Sequence, residues 1–264
     1  MKQKALYILL VAALVLSACG NLGGQPVVVR VGWAGSPDTV NPGSAVLAEA
    51  YTIFGLVYDC MYKLNLDGTF SLGVADSVEH SEDGLIYTYK IHKGIKFHDG
   101  QPMTARDIKF SYDLFKAHDD FPYINSYTAY IESTEAPDDY TIVLTLSEAI
   151  PNIESQLVFM YILPEHIWKD HTEGPAAVEF ENFEMIGTGP FKMVEYKQNE
   201  FVHLAANKDH FQTPPKVDEA IFQTFESQDV LVQAVKSGQV DMITEMPATA
   251  VETLKGEANV KVLN

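Results

Sequence analysis

Two hydrophobic periods share the chain. "VVVRVGW", 27–33, is a β-branched run of the kind that forms a buried strand. After the turn-rich loop "AGSPDTVNPGS", 34–44, apolar residues recur at helical spacing through "AVLAEAYTIFGLVYD", 45–59. Asp67-Gly68 then separates two short strand-like runs, a strong short-range hairpin signal. "LIYTYKI", 85–91, follows a second such pair, Asp83-Gly84, and alternates aromatic with polar residues as a strand does. Beyond it, Thr104 is placed to cap a helix over Ala105–Lys116. Asp107 stands three residues on, as in a capping box, although that motif prefers Glu or Gln. Ile108, Tyr112 and Phe115 fall on one face of that helix.

Further along, "YTIVLTL", 140–146, sets Ile142, Leu144 and Leu146 on one side of a strand, and "LPEHIWKDH", 163–171, reads as a short helix opened by Pro164. Strands are predicted at "FKMVEY", 191–196, "FVHLAA", 201–206, and "AIFQTF", 220–225. A helix over 227–238 is bounded by Ser227 as cap and Gly238 as terminator. "VDMI", 240–243, and "VKVL", 260–263, are expected to be short strands flanking a helix in "PATAVETLK". Hairpins dominate the middle and strands alternate with helices in the last third, which indicates an α/β protein with an antiparallel subdomain.

The His98-Asp99 pair at the head of the capped helix poses the first question of chemistry. Asp99 precedes Gly100, which accepts positive φ, so a turn uses both residues fully. No serine or cysteine lies nearby for His98 to activate. A triad is recognised by geometry rather than by sequence position, and the turn is the reading adopted here.

Composition narrows the field. The first 18 residues combine a Lys2/Lys4 positive region, an apolar stretch over 5–16 and small residues before Cys19, the plan of a secretory signal peptide. The stretch is short for a bilayer span, which needs about 20 residues. Leu16-Ser17-Ala18-Cys19 also resembles the lipobox of bacterial lipoproteins, making Cys19 the expected lipidation site and 19–26 a short tether. The alternative, ordinary cleavage near Ala18, leaves an exposed reactive thiol. With Cys19 lipidated, the remaining cysteine, Cys60, has no disulfide partner and is expected to be a small buried hydrophobe. Without residues 1–18 the chain carries 16 basic and 36 acidic residues, a net charge of −20. Such a surface repels phosphate backbones and argues against nucleic acid as a partner.

Recognisable catalytic motifs are lacking. The eight histidines are scattered, and His166 and His171 miss the i, i+4 spacing of a helical zinc pair. "GTGP", 187–190, lacks the lysine and Ser/Thr of a phosphate loop and the spacing of a dinucleotide fingerprint. No G-x-S-x-G elbow is present. No cofactor or metal is expected.

Four segments in order carry a specific resemblance: "SPDTVNP", 36–42; "GLIYTYKIHKGIKFHDGQPMTARDIKFSYD", 84–113; "IGTGPFKMVEYKQNEFVHLAANKDHFQTPPKVDEAIFQTF", 186–225; and "AVKSGQVDM", 234–242. By these the chain resembles the extracellular solute-binding proteins of bacterial ABC importers, in the oligopeptide/dipeptide/nickel-binding family. The resemblance implies a periplasmic-binding-protein type II-like α/β lobe, its incomplete core formed by 27–44 and 183–264, with an inserted antiparallel α+β subdomain at 45–182. It also implies a second lobe, which is absent from this sequence, so the chain reads as a truncated one. The implied function is binding, not catalysis: capture of an oligopeptide or dipeptide outside the cell and delivery to a permease and its ATPase, the membrane being reached through Cys19. Carried onto this chain, the cleft-lining residues are Val46, Leu47, Ala48, Thr244 and Glu245, with Tyr127 and Tyr130 as weaker candidates. A nickel complex, haem or a sugar as solute, a peptide-sensing lipoprotein, and a secreted hydrolase stand as alternatives.

Overall fold

The computed structural model describes residues 25–244 and 246–263; the expected signal segment at 1–18, Cys19 and Glu245 lie outside the described residues. A five-stranded mixed sheet is built from the two ends of this range. Its order is β11 (Met242–Ile243), β1 (Val28–Trp33), β10 (Glu219–Thr224), β9 (Phe201–Ala206) and β8 (Phe191–Lys197). β1 runs parallel to β10 and β11, while β9 is antiparallel to both β10 and β8. The β-branched character of β1 suits this central place, where Val31 and Trp33 are buried.

Middle segments form a second, antiparallel sheet of four strands, ordered β4 (Ala75–His80), β5 (Ile86–Ile91), β7 (Thr141–Leu146) and β6 (Ile131–Asp138). Helix α2 (Ala105–Ala117) packs on β6 and β7. It buries Ile108, Tyr112 and Phe115, the face that the sequence spacing predicts, and Thr104 and Asp107 close the expected capping box. The Asp67-Gly68 hairpin joins β2 (Tyr62–Leu64) to β3 (Phe70–Leu72), with Gly68 at φ 81°. One buried apolar cluster runs without a break from Val31 and Trp33 through Tyr89, Ile108 and Ile142 to Leu204 and Phe222, so the two sheets share a core. A smaller cluster of Phe225, Leu231, Ala234 and Val240 covers the other face of the parallel strands.

Helix α1 (Ala48–Val57) follows the loop after β1 and buries Ala50, Ile53, Phe54 and Val57. Helix α6 (Gln228–Ser237) starts at Ser227 and stops at Gly238, whose φ is 74°. Three short helices, α3 (Glu154–Leu157), α4 (Glu165–Trp168) and α5 (Ala176–Glu179), lie between them in sequence, and α7 (Ala248–Leu254) ends the series. One expectation needs correction, and one strand goes unsignalled. "VKVL", 260–263, is not a strand: a strand must pair its backbone, and among the described residues nothing pairs with this segment. β6 is a strand that the hydrophobic pattern does not signal; Pro137 and three acidic residues sit in it because it lies at the sheet edge, where an unpaired side tolerates them.

Candidate ligand-binding site

At the carboxyl ends of the parallel strands the chain leaves the sheet in loops, and such ends are where open α/β sheets place their ligands. The loop after Trp33 is held firmly. The Tyr196 hydroxyl donates to the Pro37 carbonyl at 2.8 Å, the Asn199 amide to the Ser36 hydroxyl at 2.9 Å, and the Gln198 side chain to the Asp38 carbonyl at 3.1 Å. The Asp38 carboxylate accepts from the amides of Val46 (2.9 Å) and Leu47 (3.3 Å), satisfying donors just ahead of α1, whose N-cap Leu47 offers no side-chain oxygen. Val46, Leu47 and Ala48 are thereby fixed in backbone and exposed in side chain, at 46% and 43% for the first two.

Tyr51, one turn along α1, ties this corner to a second segment. Its hydroxyl donates to the Ala45 carbonyl at 3.1 Å, and its ring lies 6.4 Å from that of Tyr161. Its phenol is pushed up to about 12, chiefly by burial and then by the nearness of Tyr127, Asp38 and Tyr123. Tyr127 in turn stacks on Phe159 at 5.3 Å. Val46–Ala48 and Tyr127 are therefore brought together around Tyr51. Tyr130 is engaged differently: its carbonyl accepts from the Ser147 amide at 3.0 Å. Thr244 follows β11, half-buried, with its amide donating to the Gly32 carbonyl at 3.4 Å at the end of β1. Tyr51, Phe159 and Tyr161 are the residues that the sequence reading overlooks. The i, i+3 spacing of Ala48 and Tyr51 is a signal for the first; Phe159 and Tyr161 sit in an unbroken apolar run that carries none.

A buried polar junction lies beyond the other end of α1. Asp59 accepts from the Thr188 hydroxyl at 3.0 Å and from His210 Nε2 at 3.3 Å, with both Asp59 and His210 side chains almost wholly buried. Gly187 and Gly189 press against the end of the helix: a Cβ on Gly187 would stand 2.1 Å from the Val57 carbonyl oxygen. The Gly189 amide donates to that same oxygen at 2.9 Å. His98 secures the same loop. Its Nδ1 accepts from the Gly187 amide at 3.2 Å, so Nε2 carries the proton and donates to the Gly189 carbonyl at 3.0 Å. Burial lowers its pKa to about 4, against partial compensation from the Gly189 bond. Asp99 makes the expected turn, accepting from the Gln101 amide at 3.0 Å ahead of Gly100 at φ 92°, and it also accepts from His166 at 2.7 Å. His98 thus serves as a brace between segments about ninety residues apart, with both ring nitrogens committed to backbone. Cys60, beside Asp59, is buried and its thiol is pushed well up by burial, the state of an inert packing residue. Among the described residues no group of three or more His, Cys, Asp and Glu side chains is arranged to hold a metal ion, and no helix is long and apolar enough to cross a membrane.

The mixed α/β lobe, with its apolar and aromatic corner at the start of α1, has the fold of a periplasmic binding protein. The comparisons sharpen this. A family model for the bacterial extracellular solute-binding proteins, family 5 (middle region), matches residues 69–264, and the chain belongs to that family. It is 29% identical to the oligopeptide-binding protein AppA of Bacillus subtilis, over 98% of this chain and 50% of AppA. Identity to the nickel-binding protein NikA of Staphylococcus aureus is 26%, over 99% of this chain and 50% of NikA. The structure of AppA in complex with a nonapeptide superposes with a TM-score of 0.79 at 28% identity, covering 90% of this chain and 48% of AppA. The chain spans about half the length of the curated relatives it matches. Proteins of this family bind solutes for transport and are not enzymes.

Proposed function

We propose that this chain is the substrate-binding component of an ABC importer, anchored outside the cell by lipid on Cys19, and that its solute is an oligopeptide or dipeptide passed on to a permease and ATPase. The observation that carries the reading is the similarity to AppA, whose structure holds a nonapeptide. In this reading 27–44 and 183–264 are the lobe's core and 45–182 an inserted subdomain, consistent with the origins of the two sheets. Val46, Leu47, Ala48, Tyr127, Tyr130, Thr244 and Glu245 line the cleft. Peptides of varied sequence are held through backbone groups and tolerant pockets, so no reactive side chain is called for.

Calorimetric titration with di- to nonapeptides tests it. Only weak binding is expected of a chain that spans about half the length of its relatives, and about tenfold weaker binding still for Leu47→Asp with the melting temperature unchanged, because that side chain is exposed. No heat with any peptide, or the same affinity in the variant, overturns the peptide reading or the placement of Leu47 respectively. Similarity to NikA favours a second solute, a nickel complex, and titration with nickel–histidine distinguishes it. For the anchor, globomycin is expected to leave an uncleaved precursor and Cys19→Ala to release the protein; normal maturation under both conditions removes the lipid from the account.

A further inference from the structure

Along α1 the exposed face does not end at the corner described above. Ala48, Tyr51 and Gly55 follow one another at i, i+3 and i+7 on one side of the helix, and at Gly55 that side becomes the floor of a cavity of about 320 Å³. Its walls include Tyr51, Leu64, Val158, Phe159 and Tyr161, with Asp59 and Lys63 among the other lining residues. Leu64 comes from the β2–β3 hairpin and is more than half exposed.

Gly55 is unexplained by the chain itself. It lies inside a ten-residue helix, it has no positive φ, and nothing stands within 4 Å of where its Cβ would be. A glycine in a helix interior is destabilising relative to alanine, and here alanine fits freely. This glycine contrasts with Gly187 and Gly189, whose neighbours forbid a side chain. What the missing Cβ provides is bare helix backbone beneath an open space.

Most of the polar side chains around the cavity are already engaged. Asp59 is held by Thr188 and His210, Lys63 donates to the Gln212 side chain, the Tyr51 hydroxyl donates to Ala45, and the Tyr62 hydroxyl is paired with that of Tyr89. What the cavity presents is mostly ring and aliphatic surface, with a polar share at the Asp59 and Lys63 side. Its volume is at the lower end of the range of about 300–1,000 Å³ for ligand pockets, room for one large side chain rather than for a whole peptide. Ala48 and Gly55 are seven positions apart, about 10 Å along the helix, which an extended peptide covers in about three residues.

We propose that this pocket receives a single aromatic or large aliphatic side chain of the bound peptide, with the backbone at Gly55 as its floor. The inference deepens the peptide-binding reading and rests on it. The test titrates the full chain with penta-alanine and with three pentapeptides carrying Phe at position 2, 3 or 4, against native protein, Gly55→Trp and Gly55→Leu. Two blocking variants of different bulk are used so that a folded one is available, with folding checked by thermal melting. At least one Phe peptide is expected to bind native protein about tenfold more tightly than penta-alanine, the scale of burying one ring. The blocked variants are expected to lose that preference and keep their affinity for penta-alanine. Equal binding of all four peptides by native protein, or a Phe preference that survives in a folded blocked variant, overturns the pocket and leaves peptide binding standing. No binding of any of the four overturns the peptide reading, and the pocket with it.

Discussion

Replacing His98 with glutamine should flatten the pH dependence of stability on the acid side of neutrality. The ring accepts from Gly187 through Nδ1 and donates to Gly189 through Nε2, an arrangement open only to neutral imidazole. Its pKa falls from 6.5 to about 4, with burial the largest cause and the Lys192 ammonium adding to it, while the Gly189 bond and the carboxylates of Asp59 and Asp99 act in the opposite sense. Between those two values the unfolded chain binds the proton that the folded chain refuses, so stability rises with pH. The contribution is fully present above pH 6.5 and is lost as pH falls through 4. Worked through the linkage relation with these two pKa values, lowering the pH from 7 to 5 removes about 2 kcal/mol. Urea unfolding of native protein and His98→Gln at the two pH values measures it. Carboxylates that do not act on His98, such as Asp107, titrate in both proteins and cancel in the difference. Native protein should lose about 2 kcal/mol more than the variant on acidification. At pH 7 the variant should start lower by about 1–3 kcal/mol, for a Gly187 amide left poorly satisfied. Equal acid losses in the two proteins, or a His98 ring resonance that titrates near its ordinary value, would refute the argument.

Two further perturbations test the same junction. Gly187→Ala drives a methyl to within 2.1 Å of a backbone oxygen and 2.8 Å of the Tyr58 ring. A loss of more than about 4 kcal/mol is expected; a circular-dichroism melt within a few degrees of the native one would show that the helix end yields. Asp59→Ala leaves the buried His210 and Thr188 donors without their acceptor and should cost about 1–3 kcal/mol for each, measured by urea unfolding at pH 7. A cost below 1 kcal/mol would mean that water reaches the pair.

Much of the scaffold is legible in the sequence because its determinants are local. Asp67-Gly68 supplies the φ that its hairpin needs, Thr104 and Asp107 satisfy amides within one turn, and Gly238 ends its helix in the left-handed region. Where a determinant is a neighbouring strand, local signals mislead. β6 exists because β7 offers it a ladder in spite of Pro137, and 260–263 is no strand because nothing among the described residues offers it one. The candidate site divides in the same way. Val46–Ala48 are proposed through the segment resemblance, and the turn at Asp99 is legible through its own glycine. The partnership of Tyr51 with Tyr161, or of Asp59 with His210 151 positions away, is a product of the folded core, and no spacing rule reaches it. His98 is half legible: the sequence favours a turn over catalysis, but only the fold shows the loop it braces.

The bracing bears on how such a lobe presents a ligand. Helix α1 has its start capped by Asp38 and its end pressed on Gly187 and Gly189, and one face buried through Ile53, Phe54 and Val57. Packed interiors are dense and hardly compressible. Val46–Ala48 at one end of the helix therefore cannot shift without carrying the 186–190 loop at the other, and that loop is fastened in turn through His98, Asn207 and Thr188. Rigid presentation lowers the ordering cost of binding, because the wall is in place before the solute arrives. For the proposed function this assigns any closing motion to a hinge between rigid bodies and denies it to the loop around Val46, which is tied at Ser36, Pro37 and Asp38.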